Sequence, residues 1–417
     1  MPEQTWLTRP ATVWTGFALV HAWLTWVGVV VAPARSFHDV DLYRWWMYQG
    51  VHDGIWPVLD GPWVYPAGAV LPMLPPALAG TVSTAAYGFA WCVLVAALDA
   101  VATTALLRVD GRRGAVAVWW WLAFLVALGP VAIGRLDAIV APLMVLALVL
   151  GLRRPRLAAV LLTVGAWIKV APGVLLLPLV TAARHPVRDV VVPALAVCTV
   201  VVAGVAGGGG LANVTSFLST QTGRGLQVES VTATPWVLAS LSRDDIVIRL
   251  NEALITWEVT GPGTTTTAGV LDVLLVLAVA VVGGLLWWAR TEARSDAAFL
   301  PGALALLAVL VVVNKVGSPQ LLAWLAAPVA VLLARPDDVG RRWLRGVATA
   351  VLAAALLTQV VFPWAYLDLL AGSAGVAVVL AVRNVLLVTV LVLAVVGLVR
   401  VTGPAGPAGA APPRPGP

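Results

Sequence analysis

Charge is scarce in this chain. Only 11% of its 417 residues are Asp, Glu, Lys or Arg, against about 25% in soluble domains. Lysine is almost missing: of 26 cationic side chains just two are lysines, Lys169 and Lys315, and both stand inside apolar text. The two cysteines, Cys92 and Cys198, each fall within an apolar run, which excludes a disulfide framework. No Cys/His pair has zinc-ligand spacing. The glycine run Gly207–Gly210 lacks the Lys-Ser/Thr of a phosphate-binding loop and reads as a flexible span end. The net charge of +6 does not indicate nucleic acid, because the arginines are scattered in short clusters between apolar stretches.

What is abundant is hydrocarbon: 60% of residues are hydrophobic and the mean hydropathy is +0.95. Apolar runs of about 17–25 residues recur, the length a helix needs to cross a bilayer. They lack the alternation of a membrane β-barrel. The expected fold is an all-α polytopic membrane protein. Ten full spans are predicted: Ala11–Pro33, Thr84–Leu107, Ala115–Ile133, Ala138–Leu152, Val190–Ala206, Ala268–Trp288, Ala297–Val313, Ser318–Ala334, Gly346–Trp364 and Ala374–Val399. The first continues without a small-residue cleavage pattern and reads as an anchor. The Pro/Gly/Ala-rich tail, 401–417, is expected to be disordered and cytoplasmic, after a transmembrane domain covering 1–400.

Arginines orient the spans. Clusters lie at Arg108/Arg112/Arg113, Arg153/Arg154/Arg156, Arg184/Arg188, Arg290/Arg294 and Arg335/Arg341/Arg342/Arg345, and the positive-inside rule asks that all be cytoplasmic. Two of these clusters flank Leu157–Val180. That segment must then enter and return on one side, with arms of about twelve residues, roughly 18 Å each, too short for about 30 Å of hydrocarbon. The prediction is a re-entrant helical hairpin with its turn at Lys169-Val-Ala-Pro172, where proline removes a backbone donor. The alternative is a single span with Lys169 snorkelling. With the hairpin, both termini are cytoplasmic, and the loops 34–83, 213–267 and Tyr366–Ser373 face outward, towards the ends where both lysines sit.

Lysine in hydrocarbon costs about 2.5–3.5 kcal/mol on insertion scales and marks a functional position by default. The first outer loop carries Asp39, Asp41, Asp53 and Asp60 with His38 and His52. A carboxylate there can take a proton from a hydroxyl arriving from outside. Asp39 and Asp41 could instead hold a divalent cation, but two carboxylates two residues apart are a weak metal signal. On spacing alone a solvated loop with helix-capping aspartates explains them as well. Trp45, Trp46, Tyr48, Trp56, Trp63 and Tyr65 form an interfacial belt or a sugar-binding wall.

Taken in order, "DVDLY", "VYPAG", "RLDAIVAPLMVLAL", "AWIKVAPGVLLLPL", "RGLQVES" and "NKVGSPQLLAWL" resemble the bacterial C-type glycosyltransferases of family 87, the polyprenol-phosphate-mannose-dependent mannosyltransferases and their relatives. The resemblance implies a multi-helix bundle with a catalytic carboxylate in the first outer loop. Asp39, with Tyr43 four residues on, best matches it, and Asp41 is the reserve. It also implies a polyprenyl-phosphate sugar donor, an envelope glycolipid or glycan acceptor, the bilayer as environment, and an active site on the extracytoplasmic side of the cell membrane. The family's Tyr-Pro-Pro stands here as Tyr65-Pro66-Ala67, and the histidine some relatives carry late in the chain has no outward-facing counterpart.

Cleaving a sugar–phosphate bond leaves growing negative charge on the lipid phosphate, which positioned cations stabilise. Lys169, Lys315, Arg383 and Arg135 are the candidates. Structural pairing is the competing role: Arg383 with Asp137 or Asp272, Arg135 with Asp137. Tyr43, Tyr65, Arg224, Gln227, Glu229, Ser318 and Gln320 offer hydrogen bonds to substrate or hold the loops closed. No metal or other cofactor is expected. Direct displacement assisted by Asp39 inverts the anomeric centre. The rival function is a transporter or flippase for a lipid-linked or polar solute, against which stands the lack of an inverted repeat.

Overall fold

A computed structural model describes residues 6–252, 254–335 and 340–403. The expected disordered tail lies outside these residues except at its start, where Val401 and Thr402 still belong to the last helix. The helices in chain order are α1 (Pro10–Thr25), α2 (Pro33–Ser36), α3 (His38–Tyr48), α4 (Val70–Ala77), α5 (Thr84–Val109), α6 (Gly111–Leu128), α7 (Asp137–Leu150), α8 (Pro155–Ile168), α9 (Leu176–Ala182), α10 (Val192–Gly207), α11 (Ser216–Thr222), α12 (Thr234–Ala239), α13 (Thr264–Thr291), α14 (Ser295–Val312), α15 (Leu322–Ala334), α16 (Arg341–Gln359), α17 (Tyr366–Leu370) and α18 (Ala374–Thr402).

Among the described residues eight helices are long and apolar enough to cross a membrane. These are α5, α13, α14 and α18, together with α1, α6, α10 and α16 lengthened by adjoining helical turns. Two of the ten expected spans are shorter. Asp137–Leu150 and Pro319–Ala334 rise only about 21 and 24 Å at 1.5 Å per residue. They are also the central helices: every residue of α15 but Leu333 is buried, and most of α7 is. A helix apolar on all sides packs on all sides. Enclosed by protein, these two need not match the hydrocarbon thickness, and they can end inside it.

The chain reverses where the lysine and proline predicted it. α8 stops at Lys169, whose backbone is extended (φ −154°, ψ 132°). A helical turn at Ala171–Leu175 then leads into α9. A methyl group on Gly165 would stand 3.0 Å from Pro172 Cβ, so the two arms touch at the tip. At the far end Arg156, in the first turn of α8, donates to Asp189 at 2.8 Å, seven residues beyond the end of α9. The segment returns to the end of the bundle it left.

That end gathers the arginines. Arg113 donates to the Arg335 carbonyl, and Arg335 to the carbonyls of Leu148 and Val149 that close α7. Arg290 reaches Thr181 and Ala183 at the end of α9, at 2.6 and 2.8 Å, and Arg294 reaches Thr402. The last carbonyls of a helix have no partner within it and carry its negative dipole end. Arginines of the clusters expected to face the cytoplasm thus cap these helices.

The opposite end is covered by two folded segments rather than open loops. The first holds α2, α3 and α4. The second carries, within an otherwise helical fold, a small antiparallel sheet, β1 (Leu226–Gln227), β2 (Val247–Asn251) and β3 (Thr256–Thr260), in the order β1-β3-β2 with Arg249 opposite Glu258. Gln227 fastens this segment to the bundle. Its backbone N–H donates to the Lys315 carbonyl (3.0 Å) and its Oε1 accepts from Gly317 N (2.9 Å). A side chain at Gly317 would run into the Glu229–Ser230 backbone, so only glycine admits this approach.

Candidate active site

The short central elements all end below the covered face. α7 begins at Asp137, α8 ends at Lys169, and α15 carries Trp324 in its first turn. Lys169 Nζ donates to Asp137 Oδ2 (2.6 Å) and Trp324 Nε1 to Asp137 Oδ1 (2.7 Å). The Lys169 ammonium also stands 6.0 Å from the Trp324 ring centre, within cation–π range. From the arginine-rich end, α7 climbs about 21 Å, roughly 10 Å less than the hydrocarbon core. The level of Asp137 and Lys169 is therefore recessed, which is where irregular backbone and ionic groups are tolerated if protein surrounds them.

Asp39 meets this level from the cap. It lies in the first turn of α3, and its Oδ1 is 2.5 Å from Arg135 Nη1. Arg135 projects from the irregular turn joining α6 to α7. Its side chain is 7% exposed and its guanidinium lies 5.7 Å from the Phe362 ring centre. Asp39 keeps 26% of its side chain exposed, enough to meet a ligand. Burial disfavours its charged form and pushes the carboxyl up, but Arg135, His38 and Lys169 outweigh that, so it titrates below its ordinary range. His38 Nδ1, 4.0 Å away, is raised in turn, chiefly by its bond to Asp39.

Asp41 points elsewhere. It accepts from Arg44 Nε and Thr84 Oγ1, both at 2.7 Å, while Arg44 also donates to the Thr81 carbonyl. These bonds tie α3 to the start of α5. They hold its carboxyl low against the opposing effect of burial. Residues two apart on a helix diverge, and here each turns to its own arginine. The pair does not converge on a divalent cation, and among the described residues no group of three His, Cys, Asp or Glu side chains could hold one.

Across the site, Arg383 of α18 is 3.4 Å from Glu229, both almost fully buried. Neither partner proposed for Arg383 is the real one: Asp137 is taken by Lys169, and Asp272 by Lys315 at 2.8 Å. Glu229 also feels Arg135, and Tyr366 adjoins the pair. Burial dominates over both arginines and pushes the Glu229 carboxyl up to about 7. Arg135 likewise does not serve Asp137, as sequence spacing allowed, but Asp39.

The aromatic residues divide. Trp45 stacks on Tyr48 at the exposed surface, the arrangement of an interfacial belt. Trp46, Trp63, Tyr65 and Tyr43 form one packed cluster with edge-to-face contacts. Tyr43 accepts from Leu136 N, beside Arg135, at 3.3 Å. Burial drives both tyrosine hydroxyls above their ordinary range, with Asp39 adding to it. Arg224 lies near Tyr65 and Glu258. Among the described residues the Nε atoms of Arg135, Arg224 and Arg383 are buried without an acceptor.

Of the expected residues, then, Asp39, Arg135, Lys169, Arg383, Glu229, Tyr43, Tyr65 and Arg224 fall in one neighbourhood. Lys315, Gln227 and Ser318 lie in the seam that fastens the second cap segment, where Ser318 Oγ approaches Gln227 Oε1 at 3.5 Å. Gln320 sits in the turn opening α15, packed against Gly129–Ala132. Asp137 entered the sequence reading only as a counter-ion, although a carboxylate amid "RLDAIVAPL" was signal enough for a site residue. Trp324 and Phe362 carried no such signal; only the fold brings them to the cations.

No curated protein sequence matches this chain. The sequence model of glycosyltransferase family 87 matches residues 63–313, a stretch that contains Tyr65, Arg135, Lys169, Arg224, Gln227 and Glu229 and leaves out Asp39, Lys315 and Arg383. The match spans more than half of the chain, and the apolar helices agree with a membrane enzyme: the protein belongs to glycosyltransferase family 87.

Proposed function

We propose that this glycosyltransferase moves a hexose, mannose by resemblance, from a polyprenyl-phosphate carrier to a hydroxyl of an envelope glycolipid or glycan. The observation that carries the reading is the contact between Asp39 and Arg135 at a recess that also holds Lys169 and Arg383. The arginine-rich end is assigned to the cytoplasm by the positive-inside rule, so the recess opens extracytoplasmically.

Asp39 is the general base. It takes the proton of the acceptor hydroxyl as that oxygen bonds to the anomeric carbon. The carbon–oxygen bond to the lipid phosphate breaks with its electron pair, so the configuration inverts and a β-linked donor gives an α-linked product. The leaving phosphate gains one negative charge in this step. At the same moment Asp39 becomes neutral, and Arg135 loses its counter-ion. The freed guanidinium is then available to the phosphate, together with Arg383 and Lys169, in a site poor in water where such contacts are strong. Tyr43, Tyr65, Trp46 and Trp63 supply the wall for the sugar.

Purified protein incubated with polyprenyl-phosphate mannose and envelope glycolipid should form a glycosylated product, and the Asp39→Asn protein should form almost none. Transfer that survives the substitution removes Asp39 from the role. Movement of a lipid-linked sugar across vesicles without product would assign the recess to transport.

A further inference from the structure

A phosphate held by Arg383 lies well below the membrane surface. Arg383 is nine residues into α18, about 14 Å from its outer end. A lipid whose phosphate reaches that depth cannot leave its chain above it. The hydrocarbon must pass sideways out of the protein at the same level.

One opening is placed for this. A groove of about 630 Å³ runs along α18 where α12 packs against it, bordered by Thr234, Leu238, Asn384, Val388, Val392 and Leu393. Its lining along α18 extends from Ala381 to Leu393, about 18 Å of helix. The rest of the lining is almost wholly apolar, and Val385, Val388 and Val392 are exposed on the surface a membrane-spanning helix gives to lipid. The polar end is Asn384, next to Arg383. Asn384 is 2% exposed; its Nδ2 donates to Thr234 Oγ1 (2.7 Å) and to the Ser230 carbonyl (3.3 Å). Among the described residues its Oδ1 is buried without a donor, an unsatisfied acceptor that a buried polar group rarely tolerates. Ser230 follows Glu229, the partner of Arg383, so the groove is joined to the ionic pair through adjacent residues on both elements.

We infer that this groove holds the hydrocarbon chain of the lipid-phosphate donor. The phosphate lies at Arg383, and the chain passes Asn384 and follows α18 towards the arginine-rich end. The inference rests on the lipid-phosphate donor proposed above and adds where its chain lies.

The test narrows the groove and varies the chain. Val388→Trp places a ring in the trough, on a lipid-facing position away from the ionic residues. With a long-chain polyprenyl-phosphate sugar, KM for the donor should rise roughly tenfold, the equivalent of about two methylene groups losing their contacts. With a five-carbon analogue, too short to reach Val388 about 7.5 Å of rise beyond Arg383, KM should match the wild type. Equal loss with both donors, or a rise confined to the acceptor's KM, would overturn the assignment. A second measurement does not need turnover: a polyprenyl phosphate with a photoreactive group in its chain should label the protein within residues 381–393, and labelling confined to other helices would also overturn it. If wild-type protein transfers sugar from no lipid phosphate, the functional reading fails by itself. The labelling experiment still decides whether a lipid phosphate occupies the groove.

Discussion

The two ends of this bundle use arginine in opposite ways. At one end Arg290, Arg294 and Arg335 donate to backbone carbonyls that terminate helices. At the other Arg135 and Arg383 face carboxylates, each with an Nε left over. Carbonyl ends are neutral dipoles, so a cation there gains a modest, local stabilisation and is finished. A buried ion pair is different. Its desolvation is only partly repaid, and removing one member leaves a charge that demands a new partner. The first arrangement is suited to fixing a fold, the second to exchanging one anion for another.

Substitutions should separate the two ends by what they damage. The largest effect is expected for Asp39→Asn, which keeps shape but cannot accept the proton. Transfer should fall by about 10²–10⁴, the usual worth of a general base, with the protein still extracted as a folded species. Next comes Arg135→Gln. It should lower kcat by at least tenfold through the lost phosphate contact, and it should also move the acid limb of the pH profile upward. Arg135 and Lys169 hold the Asp39 carboxyl low against burial, so without Arg135 a larger fraction of Asp39 is protonated at mildly acidic pH. A lower kcat with an unmoved acid limb would mean that Arg135 does not bear on the base.

Glu229 offers a finer comparison, because its carboxyl titrates near about 7. Below that value it is neutral and leaves Arg383 free for a phosphate. Above it, Glu229 is ionised and competes. The donor KM should therefore rise as pH passes upward through 7, by a few-fold, and Glu229→Gln should flatten the dependence. The same shift predicts the stability sign. The folded-state value lies above the ordinary carboxylate value of 4.5, so the Glu229 contribution is full below that value and is lost as pH rises through about 7.

How much of this could be read beforehand follows from which forces are local. Apolar runs name helices because hydrocarbon length is a property of a segment, and the arginine clusters oriented them because each sits beside its own span. The reversal at Lys169 followed from the parity of those clusters. Partner identity was not local. Asp39 meets Arg135 across 96 residues and Glu229 meets Arg383 across 154, and nothing in either neighbourhood specifies the other. Sequence proximity in fact misled, since Arg135 stands two residues from Asp137 yet serves Asp39. The shortness of α7 and α15 was also hidden. Their text is as apolar as a span, and only their burial shows that they need not reach both surfaces. The sheet at Leu226–Thr260 escaped because its strands, two to five residues long, are too short to carry a pattern of their own.

The smallest effect on chemistry is expected at the capping end. Arg290→Ala removes donors from the Thr181 and Ala183 carbonyls that finish α9. These carbonyls lie at the base of the hairpin, about 18 Å of rise from its tip at Lys169. A net cost of about 1–3 kcal/mol is expected for losing charged hydrogen bonds to groups that stay partly buried, read as a lower thermal unfolding midpoint in detergent. The surviving folded protein should keep its kcat and donor KM within about twofold, because the tip is held independently by Asp137 and Trp324. A large change in donor KM at unchanged thermal stability would mean that the hairpin moves as a rigid lever. The division between a fold-fixing end and an anion-exchanging end would then be wrong.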